Sequence, residues 1–211
     1  MLNPMQKDLL TELVNVYVGQ AASLLSEMTG RQVKLCVPEA ELIMLSNLKR
    51  NEKPALSFFS LGHVVSSSIR FGYDFQGKAF LTFPVEQVKI LVHACLEDNL
   101  PMEYDESEMD LIDTDFDVLR EIANIILNSI VGGFGNLLST KLEYSLPEVE
   151  LIFISESDQQ ILFEKEAYAL VLHTNFSLAG TEIQGTIIIV LSMNSVSQLL
   201  YKIDEMLVIE T

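Results

Sequence analysis

A chain of 211 residues with 49% hydrophobic and 20% charged residues can bury a sizeable core without disulfides or metal, and it is too apolar to be disordered. Its formal net charge of −17, with no cluster of Lys and Arg, excludes nucleic-acid binding and disfavours anionic membrane surfaces. No apolar run approaches the ~20 residues of a membrane span, and Met1 to Lys7 carries no export signal, so a cytoplasmic protein is expected.

The first predicted element is a long helix. Asn3 is placed to cap it, Pro4 suits its first position and Gly30 stops it. At ~100° per residue, Leu10, Leu13, Ala21, Leu24, Leu25 and Met28 form a stripe that must face the core, while Asp8, Glu12, Asn15 and Gly19 gather on the other side. Gln32 to Val37 alternates with period two and reads as a strand that Pro38 ends or edges. His63 to Phe71 and Gly77 to Phe83 read as an antiparallel hairpin, and Pro84 to Leu96 as a helix.

Glu103 to Asp117 is dense in carboxylates. It lacks the glycine and terminal Glu spacing of a calcium loop, so it reads as a solvated linker entering an acidic helix start. From Thr114 or Asp115 a second long helix runs to about Leu138, with Leu119, Ile122, Ile126 and Ile130 inward and Asp117, Glu121 and Asn124 outward. A strand at Lys141 to Tyr144, a hairpin of Ala167 to Leu178 with Gly185 to Leu191, and a helix at Asn194 to Met206 complete the chain. Cys36 and Cys95 read as buried thiols, and His63, His93 and His173 have no ligand spacing, so no structural metal is expected.

The elements repeat. Pro38-Glu39-Ala40-Glu41-Leu42-Ile43 recurs as Pro147-Glu148-Val149-Glu150-Leu151-Ile152 at an offset of 109, an offset shared by Asp8 and Asp117, Glu12 and Glu121, and Asn15 and Asn124. Gly77 and Gly185 align at an offset of 108. Residues 1–103 and 104–211 therefore read as two copies of a helix, strand, hairpin, helix unit, packed about a pseudo-twofold axis in a single domain, 1–211. Strands joined by tight turns predict an α+β fold with an antiparallel sheet and long helices packed on it. A monomer is expected, the duplication standing in for a dimer.

Polar residues opposite an apolar stripe suit any surface helix, and an early Asp suits the helix dipole. Asparagine, however, is a poor interior helix residue, and its return at identical spacing points to use. The pattern Asp, three residues, Glu, two residues, Asn, twenty-two residues, Pro is met twice, by Asp8, Glu12, Asn15 and Pro38 and by Asp117, Glu121, Asn124 and Pro147. It resembles the mark of the CheC, CheX and FliY chemotaxis phosphatases, and twin motifs resemble the CheC arrangement. Gly19 also fits a glycine common in that family, where the second copy has Asn128.

The resemblance implies a phosphatase that hydrolyses the phospho-aspartate of a CheY-like response regulator. Asn15 and Asn124 would hold the in-line water, and Glu12 and Glu121 would pair with a lysine of the substrate. The substrate protein would carry the Mg²⁺, leaving this chain with no cofactor of its own. Asp8, Pro38, Asp117 and Pro147 belong to the motif without an assigned step. A CheD-like deamidase is a further partner suggested by the resemblance. The alternative is a non-catalytic module that binds a response regulator or a CheD-type deamidase. The expected fold also resembles that of the FliM switch protein, which binds without the chemistry, and a FliY assignment would call for a further C-terminal switch domain. An inert scaffold is the third reading.

Overall fold

The structure, a computed structural model, describes residues 2–45, 62–96, 111–154, 167–178 and 180–209. The expected junction at 103/104 and most of the carboxylate-dense stretch lie outside the described residues.

Helix α1 (Pro4–Thr29) starts on a reciprocal cap: the Asn3 side chain accepts from the Gln6 N–H at 2.8 Å, and the Gln6 side chain accepts from the Asn3 N–H at 2.9 Å. It ends on Gly30 at φ 65, in the left-handed region that favours glycine. Strands β1 (Val33–Cys36), β2 (Ala40–Met44), β3 (Gly62–Gly72) and β4 (Gly77–Pro84) lead to α2 (Val85–Leu96). Then come α3 (Asp113–Leu137), β5 (Glu143–Tyr144), β6 (Glu148–Ile154), β7 (Ala167–Leu178), β8 (Thr181–Ser192) and α4 (Met193–Ile209). One helix, four strands and one helix thus follow each other twice. Strands β2 and β6 add to the expected unit: Pro38 and Pro147 interrupt the chain, which then re-enters the sheet.

The described strands form one eight-stranded antiparallel sheet in the order β1-β7-β8-β4-β3-β5, with β2 also on β7 and β6 also on β3. The halves are joined crosswise. β1 and β2 pair with the hairpin β7–β8 of the second half, and β5 and β6 pair with the hairpin β3–β4 of the first. The two hairpins meet at β4 and β8, where Phe80 stands opposite Ile188.

Period-two alternation gives the sheet two different faces. Val65, Ile69, Leu81, Leu170, Leu172, Ile187 and Ile189 join all four helices in the main core, while Val64, Ala169, Val171 and Ile188 form a smaller cluster with Leu45. The two motif helices, α1 and α3, lie side by side on the sheet, with the Tyr17 ring edge-on to Phe134 at 5.6 Å between centroids. Tyr17 covers Gly133, where a Cβ would stand 2.4 Å from its ring. At the start of α3 the buried Asp115 accepts from the Ile112 N–H at 2.9 Å and pairs with Lys89 of α2 at 3.0 Å.

Two expectations are corrected. Leu24 and Met28 are 48% and 44% exposed, because Ala21, Ala22 and Leu25 already fill the inner side of the last turns of α1. Cys36 is exposed, because alternation along β1 buries Val33 and turns Cys36 outward, whereas Cys95 is half-buried. By length and composition α3 is apolar enough to cross a membrane, yet 56% of its most apolar stretch is buried inside the fold, as befits a core helix.

Candidate functional site

In the first copy of the motif, Asp8 and Glu12 are exposed on α1 and Asn15 is half-buried. Asn15 does not project freely into solvent. Its Nδ2 donates to the Thr11 carbonyl at 3.0 Å and to the Val37 carbonyl at 2.8 Å, and its Oδ1 accepts from the Val37 N–H at 2.9 Å. The amide thus pairs with Val37 as a strand neighbour would. Two more contacts run along the same stripe of α1, at spacings of four residues: Thr11 Oγ1 accepts from the Ala40 N–H at 3.3 Å, and Lys7 pairs with Glu39. Hydrogen bonding to the Glu39 carboxylate raises the Lys7 ammonium above its usual value, and Lys7 in turn lowers Glu39 from its own. Lys7, Thr11 and Asn15 together fasten the turn Val37 to Ala40 against the helix. The expectation that Asn15 faces water is corrected accordingly, because the turn between β1 and β2 lies beside its stripe.

The second copy is built differently. Glu121 and Asp117 are exposed, with Asp117 paired to Arg120, and Asn124 is half-buried. Asn124 Oδ1 accepts from Asn128 Nδ2 at 2.7 Å, and Asn124 Nδ2 makes no hydrogen bond among the described residues. The Oδ1 of Asn128 is itself buried without a partner. Phe116 and Arg120 occupy the places of Lys7 and Thr11, so two of the three fasteners are missing. Here the turn is tied to the sheet instead: the Ser145 N–H donates to the Arg70 carbonyl at 2.9 Å, and Ser145 Oγ accepts from the Arg70 N–H at 2.9 Å and donates to the Leu146 carbonyl at 3.1 Å. Cys36 holds the place of Ser145 in the first copy and cannot make that oxygen-based bridge. As a result Leu146 is 86% exposed where its counterpart Val37 is 1% exposed. The prolines are reversed as well, Pro38 being exposed and Pro147 buried.

Each copy therefore offers a solvated carboxylate one helical turn before an amide, but the amides differ in what they have left to bond. An exposed carboxylate can receive an ammonium, and a neutral amide can both donate to and accept from a water. Among the described residues no three His, Cys, Asp or Glu side chains gather to hold a metal ion. Sequence reasoning missed Thr11, Ser145 and Arg70 as the groups that place the turns. It noted Asn128 without its bond to Asn124, although a spacing of four on one helix face signals such a pair.

No protein-family model matches the chain. It is 26% identical over 148 residues to CheC of Bacillus subtilis (strain 168), described as a CheY-P phosphatase; the match covers 69% of this chain and 66% of that relative, just under two thirds of its length. Among solved structures, FliY of Thermotoga maritima superposes with a TM-score of 0.73 at 20% identity, covering 97% of this chain and 98% of that one. FliM from the Helicobacter pylori FliM–SpeE complex gives 0.66 at 8% identity, over 97% of both chains. The FliM middle domain of Vibrio alginolyticus gives 0.59 at 14% identity, over 90% and 98%. These likenesses establish the fold.

Proposed function

Starting from a chain that is a homologue of CheC and carries the CheC/CheX/FliY fold, we propose that it hydrolyses the phospho-aspartate of a CheY-like response regulator. The observation that carries this reading is the pairing, on one helix, of a solvated Glu121 with an Asn124 whose N–H groups are unspent. Phosphoryl transfer to water asks little covalent chemistry of the protein; it asks for a water held in line and for compensation of charge. The amide would orient the water, and Glu121 would take a lysine of the regulator to fix the docking register. The Mg²⁺ that neutralises the phosphoryl oxygens would be carried by the regulator, so this chain would need no cofactor. Asp117, held by Arg120 near the start of α3, has no step in this scheme.

The test is phosphate release from a CheY-like regulator, phosphorylated with acetyl phosphate in Mg²⁺, with and without this protein. Acceleration is expected. Its absence, with the regulator fully phosphorylated, would remove the enzyme reading and leave the binding module. Glu121→Ala should raise KM by about 10-fold or more, the worth of a charge-assisted hydrogen bond at ~1.5–3 kcal/mol, with a smaller effect on kcat. The binding-module reading draws support from Asn15, whose amide is engaged with the Val37 backbone inside the chain. A CheD-like deamidase, cytoplasmic residence and a monomeric state complete the proposal; light scattering on the purified protein checks the last.

A further inference from the structure

We infer that the two copies of the motif divide the work: Asn15 is a structural fastener of the Val37 turn, and Asn124, oriented by Asn128, is the amide that acts on the phosphorylated partner. The second half of this statement rests on the phosphatase reading; the first half does not.

Bonding capacity decides the matter. A primary amide has two N–H donors and two acceptor positions on its oxygen. In Asn15 both donors are spent, on Thr11 and Val37, and one acceptor position is taken by the Val37 N–H. To orient a water as the family scheme requires, Asn15 would have to release Val37, a residue 1% exposed, and leave a backbone donor and acceptor without partners. Such a loss is costly in a buried setting, and nothing at the first site offsets it. Lys7 and Thr11 hold the same turn, so opening it would break their contacts too.

At the second site the account is reversed. Asn128 takes one acceptor position of Asn124 and so fixes which way the amide is turned, Oδ1 toward Asn128 and Nδ2 away from it. Both N–H groups and one acceptor position remain for a water and a phosphoryl oxygen. The turn that would close over this amide is drawn off by Ser145 to Arg70 of β3. Asn128 is thus a positioning residue, acting through Asn124 rather than touching the substrate.

The experiment has two independent arms on the full chain. In the first, phosphate release from an acetyl-phosphate-labelled CheY-like regulator is compared for the native protein and Asn124→Ala, with regulator binding and Tm as controls. A loss of about 100-fold or more with binding and Tm retained is expected, since Asn15 cannot take over. Retention of about half of the native rate would overturn the division of labour, because it would mean that Asn15 works as well. In the second arm, amide hydrogen exchange at Val37 is followed in the native protein and in Asn15→Ala. Exchange should quicken roughly tenfold or more and Tm should fall by about 2–8 °C. Unchanged exchange and unchanged Tm would show that Asn15 fastens nothing. A native protein that releases no phosphate at all would sink the phosphatase reading and with it the role of Asn124, whereas the exchange arm would still judge Asn15.

Discussion

What an amide side chain can do depends on which of its few bonding positions are already taken. Asn15 and Asn124 share a residue type, a helix position and a preceding glutamate, and they differ only through what the chain brings beside them. Helical periodicity made Asp8, Glu12, Asp117 and Glu121 legible as solvated residues, and the caps Asn3 and Gly30 were legible from their chemistry. The clamp on Asn15 was not, because a wheel tells which side of a helix a residue occupies and not which turn, 22 residues on, will lie against it. Asn128→Ala removes a bond to Asn124 but also a buried carbonyl that has no partner. Tm should therefore change by no more than about 2–4 °C, roughly a kilocalorie per mole either way, while kcat falls and KM stays. Enzyme kinetics beside a thermal melt check both. The cysteines make a second residue-scale prediction. Burial pushes the Cys95 thiol up to about 11, despite a small opposing effect from Arg31. The thiol stays protonated in the fold after it would ionise in the unfolded chain, so its contribution to stability is complete below about pH 9 and is lost as pH rises toward about 11. Alkylation at pH 8 should label the exposed Cys36 and spare Cys95, and the Tm of Cys95→Ala should fall less steeply than that of the native protein over this pH range.

Among the elements, the long helices and the hairpins were written plainly, in periods of 3.6 and two, whereas β2 and β6 were seen only as a repeated hexapeptide. Their strand character depends on partners far along the chain, β7 for β2 and β3 for β6, and edge strands of this kind carry little periodic signal of their own. The contact between α1 and α3 is also invisible locally, since it joins Tyr17 to Gly133 and Phe134. Replacing Gly133 by Ala would drive a methyl group into the Tyr17 ring, and the ring, packed on Phe134, has little room to retreat. A loss of about 1–3 kcal/mol is expected, seen as a lower midpoint in urea with an unchanged m-value.

At the scale of the whole molecule, the recurrence of Gly77 and Gly185 has a common physical basis. A Cβ on Gly77 would meet the Val190 carbonyl at 2.3 Å and Leu191 at 3.2 Å, and one on Gly185 would meet the Phe83 ring at 2.6 Å. Phe83 and Leu191 are themselves 108 positions apart, as are the two glycines and as are Phe80 and Ile188, which face each other in the β4–β8 ladder. We propose on this ground that the halves are copies related by an axis through that ladder. Because each half completes the other's sheet, a chain cut between residues 103 and 104 should yield two pieces that are unfolded alone and recover the native circular-dichroism spectrum when mixed. Two separately folded pieces would contradict this.

The same crosswise pairing bears on how the protein behaves when crowded during refolding. Every surface that the first half needs is presented by any second half in solution, not only by the one on its own chain, so two molecules can trade partners and close as an entangled pair with the same ladders. Refolding at high concentration should leave a slowly reverting species of twice the mass, and rapid dilution before refolding should prevent it.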